Sequence, residues 1–281
     1  MKSSYFETLK GKVQLIFTSP PFPLNRKKRY GNLTGADYVN WLASFAPVFR
    51  DLLADSGSVV IELGNAWVQG SPTMSTLPLR SLLAFQEAGD FHLCQELVWH
   101  NPARLPGPAQ WVTVERIRLK DSHTRFWWLS KSARPKADNK RVLQPYSAGM
   151  KRLLKTKVYN GGRRPSEHNI GEHSFLTDHG GAISPSVLVV PNTRATDSYQ
   201  QYCRKQGLST HPARMPLEIP KFFIKFLTDE DDVVLDPFGG SNTTGYAAEI
   251  LRRSWLSIEA NPEYVSGSYG RFLAEEQMAL V

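Results

Sequence analysis

The sequence predicts an α/β fold built on a mainly parallel sheet. Three observations predict it: short apolar runs alternate with longer amphipathic stretches, the runs end at Pro- or Gly-rich turns, and no internal repeat interrupts the order. With 281 residues and 41% hydrophobic side chains, the chain can build a real core as one large domain or two small ones. Small disulfide-stapled and collagen-like classes are excluded. The only cysteines, Cys94 and Cys203, are far apart and outside any CxxC pattern, which fits a reducing compartment.

Each element follows from its local pattern. Residues 13–17 form an apolar strand that stops at Ser-Pro-Pro. Tyr38, Leu42, Phe45, Phe49, Leu52 and Leu53 recur at helical spacing, predicting a helix over 38–53, and residues 58–63 read as a buried strand. A helix is expected over 77–88, strands over 94–99 and 126–129, and then, after a long irregular stretch, a helix over 217–227, a strand over 232–236, a helix over 243–251 and a strand over 254–259. No run approaches the roughly 18 to 20 apolar residues of a membrane helix, and residues 1–12 carry no signal-like apolar segment. The expected setting is therefore the cytoplasm, without membrane attachment.

The formal charge is +8, and its distribution says more than its size. Residues 131–170 hold eleven Lys/Arg against Asp138 and Glu167, leaving the rest of the chain near neutral. A basic block flanked by Gly/Ser/Pro-rich sequence reads as a separate lobe over 131–205, suited to a polyanion such as nucleic acid, or as a solvated linker. Within it Lys151, Arg152, Arg163 and Arg164 are candidate phosphate contacts. The run Arg26-Lys27-Lys28-Arg29 is a second basic candidate.

Two motifs carry chemistry. Asp236-Pro237-Phe238-Gly239-Gly240-Ser241, followed by Asn242, Thr243 and Thr244, sits where a strand ends and a helix begins. Glycines permit a tight turn, the helix N-terminus offers N–H groups, and Glu259 at the end of the next strand is placed to bind ribose hydroxyls. The second motif, Thr18-Ser19-Pro20-Pro21-Phe22, is a rigid rim rich in acceptors with one aromatic face, which suits an exocyclic amine on a planar base. Alone it could equally be a Pro-rich turn with a buried Phe. Glu62, at the end of its strand, is expected to point into the same crevice, as an orienting or proton-relaying acid or as a structural one. The seven histidines show no metal-ligand spacing, so no metal is assigned.

Ser-Pro-Pro-Phe near the N-terminus, then a basic insertion, then Asp-Pro-Phe-Gly-Gly-Ser together resemble the amino-methylating DNA methyltransferases of the permuted β arrangement, in the form of their N4-cytosine branch. The resemblance runs through residues 19–32, 127–146, 183–191 and, most densely, 211–244. It implies a Rossmann-like, S-adenosylmethionine-dependent methyltransferase sheet with circularly permuted motif order and an inserted DNA-recognition lobe. Residues 1–130 would be the catalytic half, 131–205 the target-recognition region and 206–281 the cofactor-binding half. It further implies catalytic roles for Ser19, Pro20, Pro21, Phe22 and Glu62. Cofactor contacts would come from Thr18, Asp236, Pro237, Phe238, Gly239, Gly240, Ser241, Thr243 and Glu259, with His211 and Pro212 closing over the methionine end. The partner would be double-stranded DNA in a bacterial or phage setting, with a cognate restriction endonuclease at the same site and a monomer as the default. The family's N-terminal strand, which ends in an adenine-contacting Asp, has no counterpart before residue 13. N6-adenine methylation and a non-catalytic DNA-binding protein of the same fold remain open, with a nicotinamide oxidoreductase more distant. Neither cysteine has the Pro-Cys context of carbon-directed cytosine methylation.

Overall fold

The computed structural model describes residues 4–22, 33–171, 173–193 and 197–273. Helix α1 (Ser4–Leu9) leads into strand β1 (Val13–Thr18). Every residue of β1 is buried, the signature of a strand covered on both faces. The helix expected over 38–53 is instead two, α2 (Gly35–Ala43) and α3 (Ala46–Leu52). Pro47 explains the break: it lacks the N–H that a continuous helix would need there and sits in the first turn of α3. Leu53 then opens strand β2 (Leu53–Leu63), followed by α4 (Leu77–Ala88), β3 (His92–His100) and β4 (His123–Ser130).

The chain folds into two compact units, Met1–Ala137 with Ser186–Val281, and Asp138–Pro185. The second contains α5 (Ala148–Thr156) and a minimal hairpin of β5 (Gly162–Arg163) and β6 (Asn169–Ile170). Ser147 caps α5 by accepting from Met150 N at 3.2 Å, and none of its residues is buried. This unit is narrower than the expected 131–205 because the flanks belong to the larger one. Lys136 is neutralised between Asp229 (2.9 Å) and Asp232 (2.8 Å), a pairing that a charge count along the sequence cannot register.

The larger unit continues with β7 (Val187–Val189), α6 (Ser198–Gln206), α7 (Glu218–Leu227), β8 (Val233–Asp236), α8 (Thr243–Ile250), β9 (Ser254–Ser257) and α9 (Pro262–Ser268). Its seven strands run β7-β3-β4-β2-β1-β8-β9, parallel except for β4, which is antiparallel to both neighbours. Alternation of side chains along the strands gives each face a core. Val13, Ile16, Val59 and Ile61 pack with α2, α3 and α4, while Leu15, Phe17, Val60 and Phe126 pack with α7 and α8. Among the described residues β9 is the outermost strand on its side, so the carboxyl ends of β2, β1, β8 and β9 line up in that order. No helix among the described residues is long and apolar enough to cross a membrane.

Candidate active site

The two sequence motifs meet at the carboxyl ends of adjacent parallel strands, β1 and β8, which pair with Ile16 opposite Leu235. Thr18 Oγ1 donates to Asp236 Oδ1 at 2.8 Å, Thr244 Oγ1 donates to Oδ2 at 2.7 Å, and Phe238 N donates to Oδ1 at 3.1 Å. Burial pushes the Asp236 carboxyl up to about 6, against the pull of these three donors, and the charge of Glu259 adds to the rise. The aspartate thus ties the proline-rich rim to the glycine loop and to the first turn of α8.

The glycine loop is itself stapled to the end of β9. Gly239 N donates to Ile258 O at 2.8 Å, Gly240 N to Glu259 Oε2 at 2.8 Å, and Asn261 N to Glu259 Oε1 at 2.8 Å. A Cβ on Gly239 would stand 2.0 Å from Ser257 Oγ, and one on Gly240, at φ +53°, would stand 3.2 Å from the His211 ring. Close packing within the protein is therefore by itself a reason for glycine here. Asn242 adopts φ +55° and caps α8 by accepting from Gly245 N at 3.2 Å, while Ser241 Oγ and Thr243 Oγ1 share a hydrogen bond of 3.2 Å. Pro237 is buried, and Phe238 packs its ring on Trp41 and Phe45.

On the other side of β1, the register places Thr18 opposite Ile61, so the next residues along, Ser19 and Glu62, are neighbours. The Ser19 side chain lies close enough to the Glu62 carboxylate to favour its charge, and Thr124 Oγ1 on β4 donates to Glu62 Oε1 at 2.8 Å. Glu62 is 5% exposed. Burial raises its pKa, opposed by Ser19, by Thr124 and by the positive charge of Arg104. Pro20 is buried and Pro21 half-buried. The Phe22 ring lies where a Cβ on Gly64 would come within 2.5 Å of it, so the glycine at the end of β2 lets the ring settle against the backbone.

A supporting cluster escaped the sequence reading. Arg271, 5% exposed, donates through Nε to Ser241 O at 2.5 Å and through Nη2 to Ser241 Oγ at 2.9 Å. Its Nη1 lies 3.6 Å from Asp197 Oδ2, and its guanidinium sits 5.1 Å from the Tyr199 ring centroid. Tyr199 OH in turn accepts from His211 N at 2.8 Å, and the His211 ring meets Tyr264 edge-on at 4.8 Å. Burial lowers the His211 pKa. Asn192, Asp197, Arg214, Tyr246 and Arg271 line a cavity of about 490 Å³ beside this cluster. Arg271 is separated by thirty positions from the loop it supports, and nothing in the local sequence marks it.

The basic candidates distribute differently. Arg26, Lys27, Lys28 and Arg29 lie outside the described residues. Lys151 and Arg152 are exposed on α5; Arg163 is exposed with Glu167 at 3.6 Å, and Arg164 Nη2 donates to Asn160 O at 2.7 Å. Pro212 is exposed next to the half-buried His211.

A family model described as DNA methylase matches residues 13–269. This chain belongs to that family of DNA methylases. It is 45% identical over 263 residues to the type II methyltransferase M.PvuII of Proteus hauseri, covering 93% of this chain and 78% of that one. The solved PvuII DNA methyltransferase, cytosine-N4-specific, aligns with a TM-score of 0.75 at 37% identity over 95% of this chain and 82% of the other. The solved M1.HpyAVI–SAM complex, at 20% identity and a TM-score of 0.54, covers 95% of this chain and 91% of its own, a likeness of fold.

Proposed function

We propose that this DNA methylase transfers the methyl group of S-adenosylmethionine to the exocyclic N4 of cytosine in duplex DNA, as the modification enzyme of a restriction–modification system with a PvuII-like target. The observation that carries the reading is the β1–β2 register that sets Ser19 beside the buried Glu62, one strand from the glycine loop that Thr18 and Asp236 tie to it. The similarity to the solved cytosine-N4-specific PvuII DNA methyltransferase supports cytosine over adenine.

The residues present fit the cofactor. Asp236, Glu259 and Arg271 preorganise the loop, and the Glu259 carboxylate keeps acceptor capacity beyond the N–H groups of Gly240 and Asn261, enough for ribose hydroxyls. When bound, S-adenosylmethionine supplies an electrophilic methyl group on a sulfonium. The amine of cytosine is a weak nucleophile because its lone pair is delocalised into the ring. The Ser19 hydroxyl and the Pro20 carbonyl accept its two N–H groups, favouring a pyramidal nitrogen with an available lone pair, while Phe22 stacks on the base. As the nitrogen gains carbon, one of its protons passes to Ser19 Oγ and the serine proton passes to Glu62. Lys151, Arg152, Arg163 and Arg164 hold backbone phosphates.

The test is direct. The protein is incubated with methyl-labelled S-adenosylmethionine and unmodified bacterial DNA, and the DNA is digested to nucleosides. Label in N4-methyldeoxycytidine is expected, label in N6-methyldeoxyadenosine would change the base assigned, and no labelled nucleoside would overturn the activity.

A further inference from the structure

Residues 101–122 join β3 to β4 and rise from the same edge of the sheet that carries Ser19 and Glu62, because β3 runs parallel to β2. The crest is stitched together. Asn101 N donates to Ser122 O at 2.8 Å, Lys120 Nζ to Arg104 O at 3.2 Å, and Ile117 N and Arg118 N both to Trp111 O. Arg118 stacks on Trp67 at 5.1 Å, which fastens the crest to the segment after β2. Its place beside the site is marked by Arg104, whose charge is felt by Glu62 and whose Nη1 reaches His123 O at 3.5 Å.

This ordered crest holds its apolar side chains outward. Leu119 is 91% exposed, the highest value among the described large hydrophobics, and Leu105 is 82% exposed. Lys120 bonded to Arg104 O brings the two legs together just where these leucines branch off. Arg104 and Lys120 adjoin these leucines in the chain and Arg116 lies on the same loop, all exposed, as is Glu115. Leucines held in water by a hydrogen-bonded loop that also carries exposed cations suit one occupant, the interior of a nucleic-acid duplex between its phosphates.

The chemistry of the neighbouring site requires such an occupant. The N4 amine is paired inside the helix, so the base must leave the stack to reach Ser19, and its departure opens a gap that water fills poorly. We propose that the β3–β4 crest is the wedge that occupies this gap, with Leu119 and Leu105 replacing the extruded base in the stack and Arg104, Arg116 and Lys120 gripping the adjacent phosphates. The inference rests on the cytosine-methylation reading above and adds the element that holds the duplex open. The wedge acts before chemistry: it stabilises the opened duplex without touching the reacting nitrogen.

The experiment compares the parent with Leu105→Ala, Leu119→Ala and the double variant in single-turnover methylation at saturating protein. One substrate is a fully paired oligonucleotide duplex spanning a methylated site located by tracing the label to restriction fragments of methylated DNA. The other is the same duplex with an abasic position opposite the target cytosine, where the base is already unpaired. Calorimetric binding of S-adenosylmethionine reports that each variant is folded. The double variant is expected to be slower by about tenfold or more on the paired duplex and close to the parent on the abasic one, with unchanged cofactor affinity. Parental rates on the paired duplex, or an equal deficit on both substrates, would overturn the wedge. A parent that labels neither duplex would instead bring down the methylation reading, and the wedge with it.

Discussion

Thr18 and Asp236 stand 218 positions apart in the chain and share a buried hydrogen bond of 2.8 Å. The bond joins the strand that precedes the proline-rich rim to the strand that precedes the glycine loop, so one carboxylate sets the spacing between the proposed methyl-accepting and methyl-donating halves of the site. Thr18→Val keeps the volume and removes the donor. It is expected to destabilise the protein by about 1 to 3 kcal/mol in denaturant unfolding, since a buried carboxylate loses a partner.

The same carboxylate predicts a pH dependence. Its folded pKa of about 6 lies above the ordinary value near 3.9, so between those limits the folded state holds a proton that the unfolded state has released. Asp236 therefore makes stability decline as pH rises from about 4 to 6, by on the order of 2 kcal/mol, with no further change above. Asp236→Asn removes this contribution. The difference in unfolding free energy between parent and variant should shift across that interval, and a constant difference would refute the assignment.

Ser19→Ala is expected to leave cofactor and DNA binding within a few-fold of the parent while lowering single-turnover methylation by about a hundredfold or more, because the hydroxyl acts mainly in the transition state. Glu62 must be ionised to accept from Ser19, and burial raises its pKa. The rate should therefore fall as pH drops through a value above the usual carboxylate range, and Glu62→Gln should abolish that acid limb. Parental turnover in Ser19→Ala would remove serine from the mechanism.

Glu259→Ala should weaken S-adenosylmethionine binding by about 1.5 to 3 kcal/mol through the lost ribose acceptor. It should also lower stability, since Gly240 and Asn261 lose their partner. DNA affinity should stay constant. Calorimetry that finds cofactor affinity unchanged would make the glutamate a staple of the loop alone.

Replacing Arg163 and Arg164 together by Ala should weaken DNA binding and flatten its salt dependence, because each lost phosphate contact removes a released counterion. Gel-shift titrations at several salt concentrations measure the slope. A slope equal to the parent's would leave the two arginines as solvated surface.

Local pattern along the chain fixes most of the sheet's strands and the chemistry offered at their ends. Apolar runs at 13–17 and 232–236 are strands, and Ser19 and the glycine loop follow them because prolines and glycines end strands. Asn242 takes the left-handed conformation where the loop turns into α8, one that Asn tolerates best after Gly. Local pattern could not show which strand ends become neighbours. The β1–β2 register that sets Ser19 beside Glu62, the β1–β8 pairing that brings Thr18 to Asp236, and the reach of Arg271 to Ser241 are contacts between distant segments. The limits of the basic lobe were likewise decided in three dimensions, where Lys136 turns inward to Asp229 and Asp232. Propensity and hydrophobic period act over a few residues, whereas these contacts exist only once the sheet has closed and burial has made each unpaired polar group costly.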